Sequence, residues 1–422
     1  LKLRKRYLIL ALVILTVAGV PYFFGVLPNS QPFGMILDVD YIASGPYEGN
    51  YLVTNEPGAT IIVSPELEEL WRCELPRPFV HESTMLPDGN VMIADTGAHR
   101  VIEVDINDPT HIVWEWNAKN PDDVNWTAFG IQEGWTDRAL RYVSRPNIHD
   151  WTHVNDAEFI NGSEYGRDYD SILVSLRNFD MVLEVNYSDT KEITWYYGEP
   201  KNHALLFQQH NPDRRANGNT IICDSENHRI VEVDYDTKEV VWEFHLEFPN
   251  GQLRWARDCD DIGNGTYLIT DSNNARVLLV GRDNKTILRE YGNAWLVQPY
   301  ESDYYEIDGH SYVITGDPLV TSITIMDFET GALVTHLGQP FITHYVRYFG
   351  ILVNVYYVFM LGLAYTRSEE QGFLSKLRDP AVYRELIHVL MVYFIVVFLA
   401  TFFTYLAESG LHVIIDSIVA NQ

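Results

Sequence analysis

Between residues 35 and 340 the chain alternates short apolar runs with polar turns, and the pattern repeats. Six glycine turns punctuate it: Glu48-Gly49-Asn50, Asp88-Gly89-Asn90, Asn161-Gly162-Ser163, Asn217-Gly218-Asn219, Asn264-Gly265-Thr266 and Asp308-Gly309-His310. Asn-Gly and Asp-Gly are preferred in tight hairpins because the turn needs positive φ. Each turn leads into a run suited to a strand: Tyr51–Thr54, Val91–Ala94, Ile172–Ser175, Thr220–Cys223, Tyr267–Thr270 and Tyr312–Thr315. The third run is displaced by an insertion after its turn. A second break precedes another strand, at Arg100–Asp105, Met181–Asn186, Arg229–Asp234 and Arg276–Val280. Several repeats close on an aromatic strand, as in Val113–Trp116, Thr194–Tyr197 and Val241–Phe244. Four short strands recurring at about 40–50 residues predict the blades of a propeller. The expected fold is an all-β six-bladed β-propeller over 35–340. The stretch 117–152, with Trp126, Trp135 and Tyr142, interrupts the spacing and predicts a loop over one face.

The pattern changes at both ends. Residues 1–6 carry Lys2, Arg4, Lys5 and Arg6, and 7–27 are apolar enough for a membrane-spanning helix. A signal peptide has a shorter apolar region and a small-residue cleavage site, so an uncleaved anchor is expected. Residues 345–365 and 385–406 read as two more spans. The loop 366–384 between them carries Arg367, Lys376, Arg378 and Arg384. The positive-inside rule puts 1–6 and 366–384 in the cytoplasm, and the propeller and the tail 407–422 outside. The sequence therefore predicts flanking transmembrane α-helices and a multi-pass cell-membrane protein. Sequons at Asn125, Asn161, Asn186, Asn264 and Asn284 suit an exported domain.

The chemistry is sought where first strands begin, because those ends line the central channel. Counting back seven or eight residues from each turn selects Tyr41, His81, His153, His210, Arg257 and Glu301. The ends of the second strands face the same mouth and bring Thr96, Ser225, Ser272 and, in the third repeat, Arg177. Imidazole and guanidinium groups at one mouth suit a delocalised anion such as sulfate or phosphate. An imidazole there can also act as nucleophile or general base. Three His could instead bind zinc, although Arg177 and Arg257 nearby would repel a cation. The bland alternative is that the His residues only bond backbone carbonyls between blades.

The motifs carry a resemblance. Gln209-His210-Asn211-Pro212, followed by Asn217–Ile222 and Asp224, resembles the active-site blade of the arylsulfate sulfotransferases. So do Ile172–Arg177 with Val182–Val185, the segment His153–Asp156, and His81 ahead of Leu86–Asn90. Glu82 and Ser225 stand where that family commonly has Asp and Asn. The resemblance implies a six-bladed propeller that moves a sulfuryl group from a phenolic sulfate ester to an acceptor hydroxyl, through a sulfated histidine and without a cofactor. It implies His210 as nucleophile, with His81, His153, Arg177 and Asn155 holding the sulfate oxygens. Arg257 joins as a substrate-binding residue by register alone, and no metal site is expected. The implied partners are an aryl sulfate donor and a phenol or glycan acceptor. A non-enzymatic surface platform is the main competing reading. A quinone- or metal-dependent oxidoreductase propeller is a weaker one, suggested by the Trp-Glu-Trp and Trp-Glu-Phe strands.

Charge narrows the setting. Of 422 residues, 58 are acidic and 30 basic, a net charge of −28. Such a chain is a poor ligand for nucleic acid. Three cysteines, Cys73, Cys223 and Cys259, make no disulfide framework. Acidity spread along the whole chain suggests adaptation to high salt. The expected outcome is loss of native circular dichroism on dialysis into dilute buffer, and a protein that stays folded there is not so adapted.

Overall fold

The structure is a computed structural model describing residues 34–56, 58–77, 79–246, 251–292, 296–319, 321–338, 356, 359–368, 373–377 and 379–408. It divides into two units, Pro32–Leu337 and a second made of Leu1–Gln31 with Gly338–Gln422.

In the first unit, 24 strands form six four-stranded antiparallel sheets, each built from consecutive strands. The innermost strands are β1 (Met35–Tyr41), β5 (Glu82–Met85), β9 (Val154–Ile160), β13 (His210–Arg214), β17 (Ala256–Asp261) and β21 (Ser302–Ile307). Gly49, Gly89, Gly218, Gly265 and Gly309 all have positive φ, as hairpin turns require. Gly162 is needed for a different reason, since a Cβ there would lie 1.7 Å from the Tyr169 carbonyl oxygen. The expected loop at 117–152 contains two short helices, α1 (Trp126–Gln132) and α2 (Asp137–Val143). Asn125 and Thr136 cap their first turns. Trp126 and Trp135 pack into the core with Phe179, so this insertion is anchored to blade 3.

The core consists of six clusters, one between each pair of adjacent blades. Second strands are buried on both faces, and successive side chains serve opposite neighbours. On β14 (Thr220–Asp224), Ile221 and Cys223 pack toward blade 5, while Ile222 packs toward blade 3. Each buried Ile or Val contributes roughly 1.5–3 kcal/mol. Among the described residues the ring closes by side chains alone, with Ile36, Val53 and Ile61 of blade 1 against Ile314, Ile323 and Ile325 of blade 6. Strand β1 begins, and β24 (Leu333–Gly338) ends, at the same rim of the propeller.

The second unit contains helical residues 359–367 and a helix at Pro380–Glu408, with side chains described through Ile395. Among the described residues no helix is long and apolar enough to cross a membrane. The span expected at 385–406 therefore has no support from the structure, and residues 345–355, 357 and 358 of the span expected at 345–365 lie outside the described residues. The span expected at 7–27 lies outside the described residues.

The closing seam is tight at Gly316, where a Cβ would sit 2.6 Å from Ile36 Cγ2. Gly316→Val is expected to lower stability by roughly 1–3 kcal/mol in denaturant titration, with partial recovery in the double variant Gly316→Val/Ile36→Ala. An unchanged midpoint in the single variant would show that the seam has room.

Candidate active site

The site is built from the starts of the inner strands and the loops before them. A repeated aspartate fixes those loops. Asp224 ends β14, ion-pairs Arg229 at 2.7 Å and accepts the Phe207 N–H at 2.7 Å, just ahead of His210. Asp271 does the same with Arg276 at 2.8 Å and with the Arg254 N–H at 2.7 Å, just ahead of Arg257. His153, Gln208 and Trp255 then adopt left-handed backbone, with φ of 51°, 50° and 57°. Such conformations cost energy and persist only where the surroundings hold them.

The three expected histidines converge. The His81 and His153 rings lie 4.6 Å apart. After burial itself, the strongest influences on the His210 ring come from Arg257, Arg177, His81 and His153, which gathers all four groups around it. Hydrogen bonds fix each tautomer. Ser225 Oγ donates to the Ala256 carbonyl at 2.6 Å, so it accepts from His210 Nδ1 at 2.9 Å. The Gln208 carbonyl, 3.1 Å from the same nitrogen, can only accept. Thr96 likewise donates to the Val154 carbonyl at 2.6 Å and accepts from His81 Nδ1 at 3.0 Å. His153 Nδ1 donates to Asp150 Oδ2 at 2.6 Å. In all three rings the proton sits on Nδ1, leaving the Nε2 lone pair for the site. Burial pushes the pKa of His81 and His210 far below the ordinary histidine value, and the nearby cations push the same way. Burial also lowers His153, with Asp150 opposing the shift.

The guanidinium groups are under-bonded. Arg257 is 7% exposed, and its Nε and Nη1 have no partner. Its charge lies against the rings of Tyr300 and Trp255, 3.5 and 4.6 Å from their centroids. Burial pulls its pKa down to about 9, so it remains cationic at neutral pH. Arg177 donates Nη2 to Gln208 Oε1 at 2.8 Å, while its Nε has no partner. Asn155 donates to the Gln209 carbonyl at 3.0 Å.

The structure corrects the register. Pairing of inner with second strands makes Leu37, His81, Asn155, His210, Arg257 and Tyr300 equivalent. Tyr41 lies at the opposite end of β1, paired with Tyr51 beside the hairpin and stacked on Tyr305 at 4.5 Å. Glu301 sits one step deeper. His153 precedes the ring position by two residues, and its left-handed backbone accompanies its return to the mouth. Counting from the turn failed where the connection between first and second strands has an unusual length: nine residues, 42–50, follow β1, whereas two, 308 and 309, follow β21.

Sequence reasoning also missed what lies beneath the mouth. Asp38, Glu82, Asp156, Asp258 and Glu301 share the next register. Asp40, Glu158, Asp213, Asp260 and Asp303 share the one after, two residues further on. Burial and mutual repulsion raise these carboxyls, Asp156 to about 8 and Asp258 to about 6. Glu82, noted as a departure from the family pattern, is a member of the first acidic ring. The findable signal was acid at alternating positions of the inner strands, as in Asp38 with Asp40, Asp156 with Glu158, and Asp258 with Asp260. Phe79, Trp255 and Tyr300 had no signal. They reach the mouth as rings 4.7 Å from His81, 6.3 Å from His210 and 6.0 Å from His81, respectively.

Together these features define a six-bladed propeller whose mouth combines neutral imidazoles with under-bonded guanidinium groups, an arrangement able to hold an oxyanion against a nucleophile. The arylsulfotransferase (ASST) family model matches residues 70–211. That stretch contains His81, His153, Asn155, Arg177 and His210, and the match supports a transferase of the arylsulfotransferase type. No curated protein matches the chain. Similar solved structures include a streptogramin B lyase, at 10% identity and TM-score 0.47, covering 74% of this chain and 85% of that one. A selenomethionine-substituted virginiamycin B lyase from Staphylococcus aureus is 10% identical with TM-score 0.46, covering 73% and 85%. A protein of unknown function from Bacteroides caccae is 11% identical with TM-score 0.45, covering 69% and 94%.

The two hydroxyl acceptors are not equivalent. In Ser225→Ala the Gln208 carbonyl still takes the His210 Nδ1 proton, so long-range ¹H–¹⁵N spectra should show an unchanged tautomer. Thr96→Val removes the partner found for His81 Nδ1 and should release a mixture of tautomers at that ring. An unchanged His81 tautomer in Thr96→Val would mean that the hydroxyl does not set the proton.

Proposed function

We propose that the chain transfers a sulfuryl group from an aryl sulfate ester to an acceptor hydroxyl, with His210 as the covalent carrier. The observation that carries this reading is the pairing of a neutral His210, its proton held on Nδ1, with the under-bonded Arg257 in the same buried mouth.

Nε2 of His210 attacks sulfur as the S–O(aryl) bond breaks and a phenolate leaves. The sulfated ring is cationic, because Nδ1 keeps its proton, and that charge makes it a good leaving group in the second step. Ser225 and the Gln208 carbonyl meet the developing positive charge at Nδ1. Arg257, Arg177 and Asn155 face the sulfate oxygens, while His81 and His153, whose Nε2 lone pairs can only accept, face the acceptor hydroxyl. An acceptor phenol then attacks the same sulfur as the S–N bond breaks, its proton balances the phenolate released in the first step, and His210 is freed in its neutral form. Electrostatic stabilisation of three oxygens does most of the work, as in phosphoryl transfer. Phe79, Trp255 and Tyr300 supply faces and edges for an aryl group.

The reading extends to location. The basic segments 1–6 and 366–384 favour a propeller outside the cytoplasm, where a phenol or glycan carried at the cell surface would be the acceptor.

The test is turnover of a chromogenic aryl sulfate with a phenol acceptor, by the purified full chain and by whole cells given a membrane-impermeant donor. Donor alone should leave an adduct of about 80 Da on His210, the mass of SO₃. His210→Ala should abolish both turnover and adduct, and Arg257→Met should lower kcat by roughly 10²–10³-fold. Normal turnover in His210→Ala sinks the mechanism, and activity only after cell lysis sinks the location.

A further inference from the structure

We propose that Asp150, fixed by Asn178, is the positioning residue that makes His153, and not His81, the base for the acceptor's proton. The inference rests on the sulfuryl-transfer reading and names the group that serves its second step. The His81 and His153 rings are neighbours, 4.6 Å apart, and each keeps its own proton on Nδ1. The partner of that proton differs. His81 Nδ1 meets the Thr96 hydroxyl at 3.0 Å, whereas His153 Nδ1 meets the Asp150 carboxylate at 2.6 Å. A ring that takes a second proton, on Nε2, becomes cationic. A carboxylate at Nδ1 stabilises that cation and holds the ring with Nε2 toward the reaction, while a hydroxyl supplies no charge.

The carboxylate is itself held. Asn178 Nδ2 donates to Asp150 Oδ2 at 3.2 Å and to the Asp150 carbonyl at 2.5 Å. The N–H groups of Arg177 and Asn178 donate to the His153 and Thr152 carbonyls at 3.0 and 2.9 Å. Asp150 and His153 both adopt left-handed backbone, with φ of 54° and 51°, and these bonds keep the costly turn in place. Among the charges around His153, Asp150 alone favours an imidazolium, and burial, Arg177 and Arg257 oppose it. The leading influences on His81 are burial, His153, Arg257 and Arg177, and all of them oppose a second proton. His99, also influenced by Asp150, has its Nδ1 on Thr152 Oγ1 at 2.9 Å. Burial raises the Asp150 carboxyl, but its bonds to His153 and Asn178 outweigh burial and hold it below the usual range, so it is ionised at neutral pH. In the second step the acceptor O–H gives its proton to His153 Nε2 while its oxygen bonds to sulfur and the S–N bond to His210 breaks. That proton then leaves to water and replaces the one taken up by the phenolate of the first step.

Half-reaction kinetics of the full chain decide this. Wild type and Asp150→Asn are given donor alone, checked by mass for the adduct of about 80 Da, and mixed at neutral pH with one of two acceptors. One is phenol, and the other is an electron-poor phenol already ionised at that pH, which needs no base. Asp150→Asn is expected to slow transfer to phenol by roughly 10²–10⁴-fold, and transfer to the ionised acceptor by less than about tenfold. Asn178→Ala should show the same selectivity with a smaller loss, and it serves if Asp150→Asn does not fold. Transfer to phenol at the wild-type rate overturns the proposal. So does an equal loss with both acceptors, which would make Asp150 a purely structural residue, and so does a folded variant that takes no adduct, which would put Asp150 in the first step. All three outcomes leave the sulfuryl-transfer reading standing, whereas a wild type that takes no adduct overturns that reading and this inference with it.

Discussion

Six inner strands converge on one axis, so a residue type chosen at one register meets its equivalents from the other blades inside a space with little water. Charge there is not screened as it is on the surface. Every polar group near the axis must be bonded, neutralised or matched to a ligand. That constraint explains why each level of the channel has its own chemistry. The mouth holds neutral imidazoles and two guanidinium groups whose nitrogens are not all bonded. The next two levels hold carboxyl groups whose pKa values burial raises. Without that separation of sign the arginines would pair with the acids and have nothing left for an anion.

The mouth depends on residues that never face it. Asp224 and Asp271 pin the loops that deliver His210 and Arg257. Thr96 and Ser225 each spend their one proton on a carbonyl of the next blade, and this obliges them to accept from a histidine. The same hydroxyl therefore ties two blades together and fixes a ring nitrogen. Packing between blades and orientation of the site are one set of interactions, so loss of a closing contact should be felt as loss of alignment at the imidazoles.

Much of this architecture was legible in the residue pattern. The apolar second strands, the aromatic outer strands and five of the six glycine turns stand where local rules put them, while Gly162 opens a short 3-10 helix, Gly162–Tyr165, instead of a tight hairpin. His81, His153, Asn155, Arg177, His210 and Arg257 were all found from the starts of first strands, the ends of second strands and the family motifs. The errors come from lengths that no local pattern sets. Counting back from a glycine turn assumes that first and second strands are always joined by the same number of residues, but nine, 42–50, join the first pair and two, 308 and 309, join the last. Tyr41 was placed at the wrong end, Glu301 one level too high, and the insertion at 117–152 was read as a loop although it forms α1 and α2 around Trp126 and Trp135.

The sequence by itself determined the blade, because turn chemistry and alternation act over a few residues. It also supplied the inventory of the mouth, because equivalent positions in a repeat can be compared along the chain. Only the tertiary structure decided which nitrogen of each histidine is free, that Arg257 lies between Trp255 and Tyr300 with unbonded nitrogens, and that ten acidic residues stack beneath the mouth in two rings. Each of these depends on side chains from different blades meeting at the axis, over separations that no local pattern encodes.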